Sequence, residues 1–139
     1  MRVAVVTDSM ADLPRETADE HGVSIVPLTV IFGEETFLDG VDMNSHDFFA
    51  RLKTSSVMPT TSQPSPADFI QVYYDLLGEY DHIVSVHASH KLSGTYQSAC
   101  IARDTLESGS IDVIDSKQVT MCEGFAVLEA ARAAQRGAI

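Results

Sequence analysis

Apolar runs alternate along this chain with stretches of helical spacing, and the alternation predicts strands and helices in turn. Residues 3–6 form a continuous apolar run typical of a strand buried on both faces, and the apolar-rich runs 24–32, 82–87 and 111–115 predict three more strands. Helix-start signals and helical spacing predict five helices, over about 14–22, 45–52, 65–77, 93–107 and 120–135. Strands separated by helices favour right-handed crossovers. The sequence therefore predicts an α/β fold, a single three-layer domain over 1–139 whose mainly parallel four-stranded sheet is flanked by helices.

Individual residues indicate where these elements break, begin and pack. Pro27 has no N–H to donate to a ladder, so the run 24–32 is expected at a sheet edge or with a bulge. Between 53 and 66 the composition shifts to Ser, Thr and Pro, which predicts irregular structure until Ser65 caps the next helix. The last helix is expected to present an apolar face made of Phe125, Leu128 and Ala131.

Composition and charge narrow the function classes. With 139 residues and 45% hydrophobic content, the chain is long enough for one domain with a substantial core. Its formal net charge of −11, without a local basic patch, argues against binding to nucleic acid. The first apolar run stops at Thr7, so no stable membrane insertion is expected. Cys100 and Cys122 lack CxxC spacing and are predicted to be buried, reduced thiols, as in a cytoplasmic protein.

Three short hydroxyl-rich segments carry the candidate chemistry, and they cover 7–9, 60–64 and 92–95. Each lies between a strand-like run and a helix-like stretch or just ahead of such a helix. In parallel α/β proteins these connections gather on one sheet edge, where backbone N–H groups and helix dipoles attract anions. The segments therefore predict a site for a carboxylate or a phosphate.

Each hydroxyl segment also has a purely structural interpretation. Gly94 would let a ligand oxygen approach the backbone while Ser93 and Thr95 donate hydrogen bonds, but Ser93 could equally serve only as a helix cap. Pro59 and Pro64 hold the segment between them extended, which suits either a binding segment or a rigid surface loop. Both interpretations stay open at this point.

Catalytic and metal-binding patterns are weaker. Ser93 has His90 three residues before it but lacks the GxSxG context of an exposed nucleophile. His82, His87 and His90 match no zinc spacing, and neither GxGxxG nor GxxxxGK[ST] occurs. We therefore predict no catalytic residue, no metal and no cofactor.

The order and spacing of five segments resemble the DegV family. They are Val5-Val6-Thr7-Asp8-Ser9, Val26-Pro27-Leu28, Pro59-Thr60-Thr61-Ser62-Gln63-Pro64, Leu92-Ser93-Gly94-Thr95-Tyr96-Gln97-Ser98-Ala99 and Asp115-Ser116-Lys117. The resemblance implies a non-catalytic carrier that binds a long-chain fatty acid between two domains and presents it to a fatty acid kinase. It also implies that Thr61 or Ser62 and Ser93 hold the carboxylate, while Gly94 offers its backbone N–H.

The resemblance further implies that 1–139 corresponds to the N-terminal domain of the family, without its C-terminal domain. Lipid binding is then expected to be impaired, and an exposed half-site could form a homo-oligomer. Candidate walls for the acyl tail are Ile25, Leu28, Val30 and Phe32, which could equally be plain core. Two other functions stay open: an acyl hydrolase or transferase using Ser93 with His90 or His87 as base, and a ligand-free interaction module.

Overall fold

The computed structural model describes residues 1–138 and contains two β-sheets and five α-helices. The strands are β1 (Val3–Asp8), β2 (Val23–Val26), β3 (Thr29–Phe32), β4 (Glu35–Leu38), β5 (Thr60–Ser62), β6 (His82–His87) and β7 (Ile111–Asp115). The helices are α1 (Arg15–His21), α2 (Ser45–Thr54), α3 (Pro66–Leu77), α4 (Thr95–Leu106) and α5 (Thr120–Gln135). A short 3-10 turn, Ser9–Ala11, follows β1.

The larger sheet is parallel and has the strand order β2-β1-β6-β7. Val5 on β1 pairs with Val23 on one side and Val84 on the other, and Val84 pairs with Asp112 on β7. All four strands run in the same direction, so their carboxyl ends share one edge. The predicted α/β class with a four-stranded parallel sheet is confirmed.

Helices cover both faces of this sheet and make it the middle of three layers. On one face Val6 and Ile83 pack with Phe69 and Tyr73 of α3. On the other face Val5 and Val86 pack with apolar residues of α1 and α5. Burial of this kind contributes about 1.5–3 kcal/mol for each large side chain removed from water.

The inward face of α5 differs from the prediction at one position. Leu128 and Ala131 are buried as expected, but Phe125 is 62% exposed. Gly124 explains the difference, since a Cβ there would lie 2.9 Å from the carbonyl oxygen of Ala11. The close approach of α5 to the 3-10 turn at Gly124 leaves the next residue, Phe125, facing solvent.

The prediction of one strand over 24–32 is wrong, because Pro27 and Leu28 divide it. β2 joins the parallel sheet, whereas β3 is central to a separate antiparallel sheet of order β4-β3-β5. Pro27 cannot donate to a ladder. Leu28 uses its N–H and carbonyl for loop contacts instead, to Ser9 Oγ and to the N–H of Asp39.

Other local predictions have mixed outcomes. Ser65 and Asp68 form the capping box that starts α3, as the sequence indicates. The segment 60–62, expected to be irregular, is strand β5, with Thr61 paired to Val30. Cys100 is buried but Cys122 is exposed, so the burial prediction is wrong for Cys122.

Across residues 1–138, no helix combines the length and the apolar character needed to traverse a bilayer.

Candidate binding site at the carboxyl edge of the sheets

Ser93 lies where the chain leaves the parallel sheet and enters α4. Its Oγ accepts a hydrogen bond from the N–H of Thr95 over 3.2 Å and lies 2.8 Å from Thr95 Oγ1. Ser93 therefore satisfies one N–H at the start of α4, as a cap would, although Gly94 is the residue directly before the helix. As at other helix starts, the remaining first-turn N–H groups lack intrahelical acceptors and favour an anion.

The hydroxyl segment of β5 packs against this helix start. A Cβ on Gly94 would lie only 2.2 Å from Gln63 Oε1, so the glycine leaves room for the Gln63 side chain. Gln63 Nε2 also donates to Ser98 Oγ over 3.3 Å. Two of the three hydroxyl segments are thus brought together, but not by a shared edge of the parallel sheet, because 60–62 is a strand of the separate antiparallel sheet.

Thr61 and Ser62 point to opposite faces of β5, because successive side chains in a strand alternate. Thr61 lines a large cavity. Ser62 is exposed, and within residues 1–138 its hydroxyl makes one long hydrogen bond, 3.5 Å, to the carbonyl of Gln63. Thr61 is therefore better placed than Ser62 to contact a ligand in that cavity.

The third hydroxyl segment is tied into the fold. Thr7 and Asp8 are fully buried, and Ser9 Oγ accepts from the N–H of Leu28 over 3.0 Å. Asp8 and Ser9 also line the same cavity as Thr61.

A cavity of about 740 Å³ opens between the two sheets and α2. This volume lies within the range of small-molecule sites. Its apolar lining residues include Ile25, Pro27, Val30, Phe48 and Phe49. Ile25 and Val30 were expected as tail walls; Leu28 and Phe32 are buried outside the lining and form core.

A buried polar network supports the sheet edge next to this cavity. Tyr73 OH donates to Ser85 Oγ over 2.7 Å, Ser85 Oγ lies 2.6 Å from His87 Nε2, and His87 Nδ1 lies 2.9 Å from Asp8 Oδ2. Both ring nitrogens of His87 thus have a polar partner. The N–H groups of Met10 and Ala88 also donate to Asp8, so its carboxylate ties the ends of β1 and β6 together.

Glu123 adds a second carboxyl group to this buried region. Thr7 Oγ1 donates to its Oε1 over 3.2 Å, while Oε2 has no partner among residues 1–138. Burial, followed by the charge of Asp8, raises the pKa of Glu123 to about 9. Glu123 is therefore a neutral acid at pH 7, which lowers the cost of burying it. The sequence patterns do not single out Glu123; the signal for it is a glutamate within an otherwise apolar stretch of α5.

The structure does not bring Ser93 into hydrogen-bond contact with His87 or His90, as the hydrolase alternative requires. Ser93 Oγ is paired with Thr95, whereas the ring of His87 contacts Asp8 and Ser85. His90 Nδ1 is paired with Asp115. Within residues 1–138, neither imidazole forms the hydrogen bond to Ser93 that a serine nucleophile and its base require.

These features define an α/β domain with a cavity lined by both apolar and polar side chains, and residues 2–139 match the family model described as "Uncharacterised protein, DegV family". The chain belongs to the DegV family. A DegV domain-containing protein of Caldanaerobacter subterraneus is 42% identical over 137 residues, which is 99% of this chain and 49% of that protein. The chain spans about half the length of the curated relatives it matches.

Two solved structures show the same fold. A DegV family protein from Thermus thermophilus, described for its fatty acid binding, has a TM-score of 0.91 and 38% identity, covering 100% of this chain and 49% of its own. A stearic acid-binding protein from Eubacterium ventriosum has a TM-score of 0.87 and 30% identity, covering 99% of this chain and 49% of its own.

Proposed function

We propose that this chain binds a long-chain fatty acid without catalysing a reaction. One observation carries the proposal: Thr61 lies in the wall of a cavity that also has apolar lining residues, and Gln63, two residues further, packs on Gly94 at the start of α4. An amphiphile with one anionic end matches a cavity of this kind. The fatty acid ligands of the related structures support the same ligand class.

In the proposed complex, Thr61 and Ser93 donate to the carboxylate and the backbone of Gly94 allows close approach, while Ser62, on the other face of β5, is the alternative donor to Thr61. Hydroxyl and N–H donors orient a carboxylate without a strong local cation. A neutral set of donors is suited to a carrier, because the head group stays available for phosphoryl transfer. We therefore also propose that the chain presents the fatty acid to a fatty acid kinase in the cytoplasm.

The acyl tail is proposed to lie along Ile25, Val30, Phe48 and Phe49. Each methylene removed from water contributes about 0.8 kcal/mol, so a tail of sixteen carbons could contribute on the order of 10 kcal/mol if it were fully enclosed. Phe49 remains 57% exposed, so the cavity covers only part of such a tail. Weak binding by this chain alone is the expected result.

Further coverage could come from a second domain or a second copy of the chain. We propose that residues 1–139 act as the N-terminal α/β domain of a DegV protein. Val41 and Phe49 line the cavity and are 60% and 57% exposed. Apolar surface of this kind favours association, so we also propose a homo-oligomer formed through the open side of the cavity.

A matched pair of serine variants tests the binding proposal. Ser93→Ala and Ser65→Ala each remove a hydroxyl that accepts a hydrogen bond at a helix start, from Thr95 in α4 and from Asp68 in α3. The two variants should therefore lose similar stability, about 1 kcal/mol. Affinity for hexadecanoic acid, measured by displacement of a fluorescent fatty acid, should fall about tenfold only in Ser93→Ala.

Equal affinity in the two variants would show that Ser93 is only a cap. An absence of fatty acid binding by the unmodified chain would support the ligand-free interaction module instead. Turnover of an acyl ester that depends on Ser93 would support the hydrolase alternative.

A further inference from the structure

Gln63 is the side chain that connects the two candidate hydroxyl segments, 60–64 and 92–95. It follows β5 directly, and its Nε2 donates to Ser98 Oγ on α4 over 3.3 Å. Within residues 1–138, β5 pairs with β3 alone, so no backbone ladder ties it to the parallel sheet. The Gln63 side chain therefore links the small sheet to the helix whose start lies beside Ser93.

The surface of α4 has both room and a partner for this amide. A Cβ on Gly94 would lie 2.2 Å from Gln63 Oε1 and 2.6 Å from its Nε2. The backbone itself does not require glycine, since φ at Gly94 is −77°, a value open to residues with a side chain. One turn along, Ser98 is 3% exposed, and within residues 1–138 its hydroxyl has the Gln63 amide as its hydrogen-bond partner. Two neighbouring positions of α4 thus fit the same side chain.

The backbone of 60–64 couples the Gln63 side chain to Thr61. Pro64 restricts the residue before it to extended conformations. In an extended chain, side chains two residues apart lie on the same side, with Cα atoms roughly 7 Å apart. Thr61, in the cavity wall, therefore shares a side of the chain with the amide that contacts α4.

Few other contacts hold β5 in place. It has three residues, all exposed, and each pairs with a residue of β3. Short exposed segments open locally at a low cost in free energy. Ser93, by contrast, is fixed within its own segment, because its Oγ accepts from the N–H of Thr95. Of the two proposed donors, Thr61 therefore depends more on a contact outside its own strand.

Resting on the proposed binding of a fatty acid, we propose that Gln63 is a positioning residue, which holds Thr61 where its hydroxyl can donate to the carboxylate. Gly94 and Ser98 receive the Gln63 amide, and the ligand itself contacts Thr61 and Ser93. A hydrogen bond weakens steeply at poor distances and angles, so a loosely held Thr61 donates less well. A donor that is held in place before binding also spares the cost of ordering it.

A double-mutant cycle tests whether Gln63 acts through Thr61. Affinity for hexadecanoic acid is measured on the full chain by displacement of a fluorescent fatty acid. Thr61→Ala should weaken binding about tenfold and Gln63→Ala about fivefold. The double variant should bind at most about twofold more weakly than Thr61→Ala alone, because no hydroxyl is left to position. Independent contributions would instead multiply to about fiftyfold.

Ser98→Ala changes the same contact from the side of the helix. Ser98 is buried and lies outside the cavity lining, so the loss of its hydroxyl should affect the ligand by releasing Gln63. Binding should weaken as much as in Gln63→Ala, with no further loss when the two substitutions are combined. Gln71→Ala is the matched control. It removes an exposed amide of α3 that donates to Asp75 over 3.0 Å, outside the lining, and should leave affinity unchanged.

The outcomes separate this inference from the proposed function. Losses that multiply in the Thr61 and Gln63 double variant, or unchanged affinity in Gln63→Ala, overturn the inference while fatty acid binding stands. No binding of hexadecanoic acid by the unmodified chain overturns the proposed function and the inference with it. Circular dichroism melts establish that the variants are folded, and Ser98→Ala replaces Gln63→Ala in the cycle if that protein does not fold.

Discussion

The two sheets of this protein differ in how far their polar groups are buried and paired. β1 is buried from Ala4 to Asp8, and the carboxylate at its end is held by internal donors. In the antiparallel sheet all three residues of β5 are exposed, and the adjoining α2 contains no buried residue. The parallel sheet is the buried support, whereas the small sheet and α2 supply part of the cavity wall that we propose a ligand contacts.

Because of this difference, we expect substitutions in the parallel sheet to change stability and substitutions in the small sheet or α2 to change binding. Buried, fully bonded polar groups resist change because each loss leaves partners unsatisfied. Exposed segments contribute little to global stability and are drawn from the low-stability end of a structure, as ligand-contacting elements commonly are. Variants in the two sheets should therefore act on different measurements.

The largest effect is expected from Asp8→Ala. This substitution leaves the His87 ring and the N–H groups of Met10 and Ala88 without their acceptor. Each buried donor that is left without an acceptor costs about 1–3 kcal/mol, and this substitution affects three of them. Urea unfolding measures the loss. Asp112→Ala breaks the exposed pair with His82 and is the control, with an expected cost of less than about 1 kcal/mol. Similar losses of unfolding free energy in the two variants would contradict the claim that the buried network at Asp8 contributes more to stability than exposed pairs do.

A second effect is a slope of stability with pH, rather than a loss at one pH, and it originates in Glu123. Its pKa is about 9 in the folded protein against an ordinary value of 4.5. Between these values the folded state binds the extra proton, so the free energy of unfolding should fall as pH rises from about 4.5 to 9. The slope from this group is at most about 1.4 kcal/mol per pH unit.

Glu123→Gln isolates that slope. Glutamine matches the neutral acid in size and cannot ionise. The unfolding free energy of the variant, measured with urea, should therefore change less with pH across this range than that of the unmodified protein. Parallel profiles for the two proteins would mean that Glu123 does not titrate with a raised pKa.

A smaller effect is expected at the far end of the buried network. Tyr73→Phe removes the hydroxyl that donates to Ser85 Oγ but keeps the ring that packs beside Phe69. The expected cost is about 1–1.5 kcal/mol in urea unfolding. A matched variant, Tyr74→Phe, removes an exposed hydroxyl and should leave stability unchanged; an equal cost in both variants would argue against the network.

The smallest effect is expected in the antiparallel region. Glu35→Gln removes an exposed ion pair with Arg51, whose Nη2 lies 2.7 Å from Glu35 Oε1. Exposed pairs are screened and contribute little. Urea unfolding of this variant should match the unmodified protein within error. A measurable loss at low salt that disappears at high salt would show that this pair contributes more than its exposure indicates.

The elements that sequence patterns predicted are those whose signals are local. The capping box of Ser65 and Asp68 and the left-handed Gly22 mark helix ends within a few residues. The division of 24–32 could not be read in this way, since it depends on the contacts of Leu28 with Ser9 and Asp39. The strands β4 and β5 are short and largely exposed, so they lack the apolar alternation that identifies a half-buried strand.

The same distinction applies to the candidate site. Hydroxyl and glycine motifs indicated Thr61, Ser62, Ser93 and Gly94, and the packing of Gln63 on Gly94 brings their segments together. Their role in binding stays a prediction. The contact between Asp8 and His87 joins residues 79 positions apart, and no local pattern predicts such a pair.

The central claim, that hydroxyl groups of two segments hold a fatty acid carboxylate, is tested most directly by NMR of hexadecanoic acid labelled with ¹³C at the carboxyl carbon. With the unmodified chain, we expect a bound resonance distinct from free ligand. Ser93→Ala and Thr61→Ala should shift or abolish it, whereas Phe48→Ala, at the proposed tail wall, should lower its intensity without moving it. A bound resonance whose position is the same in all four proteins would contradict the account.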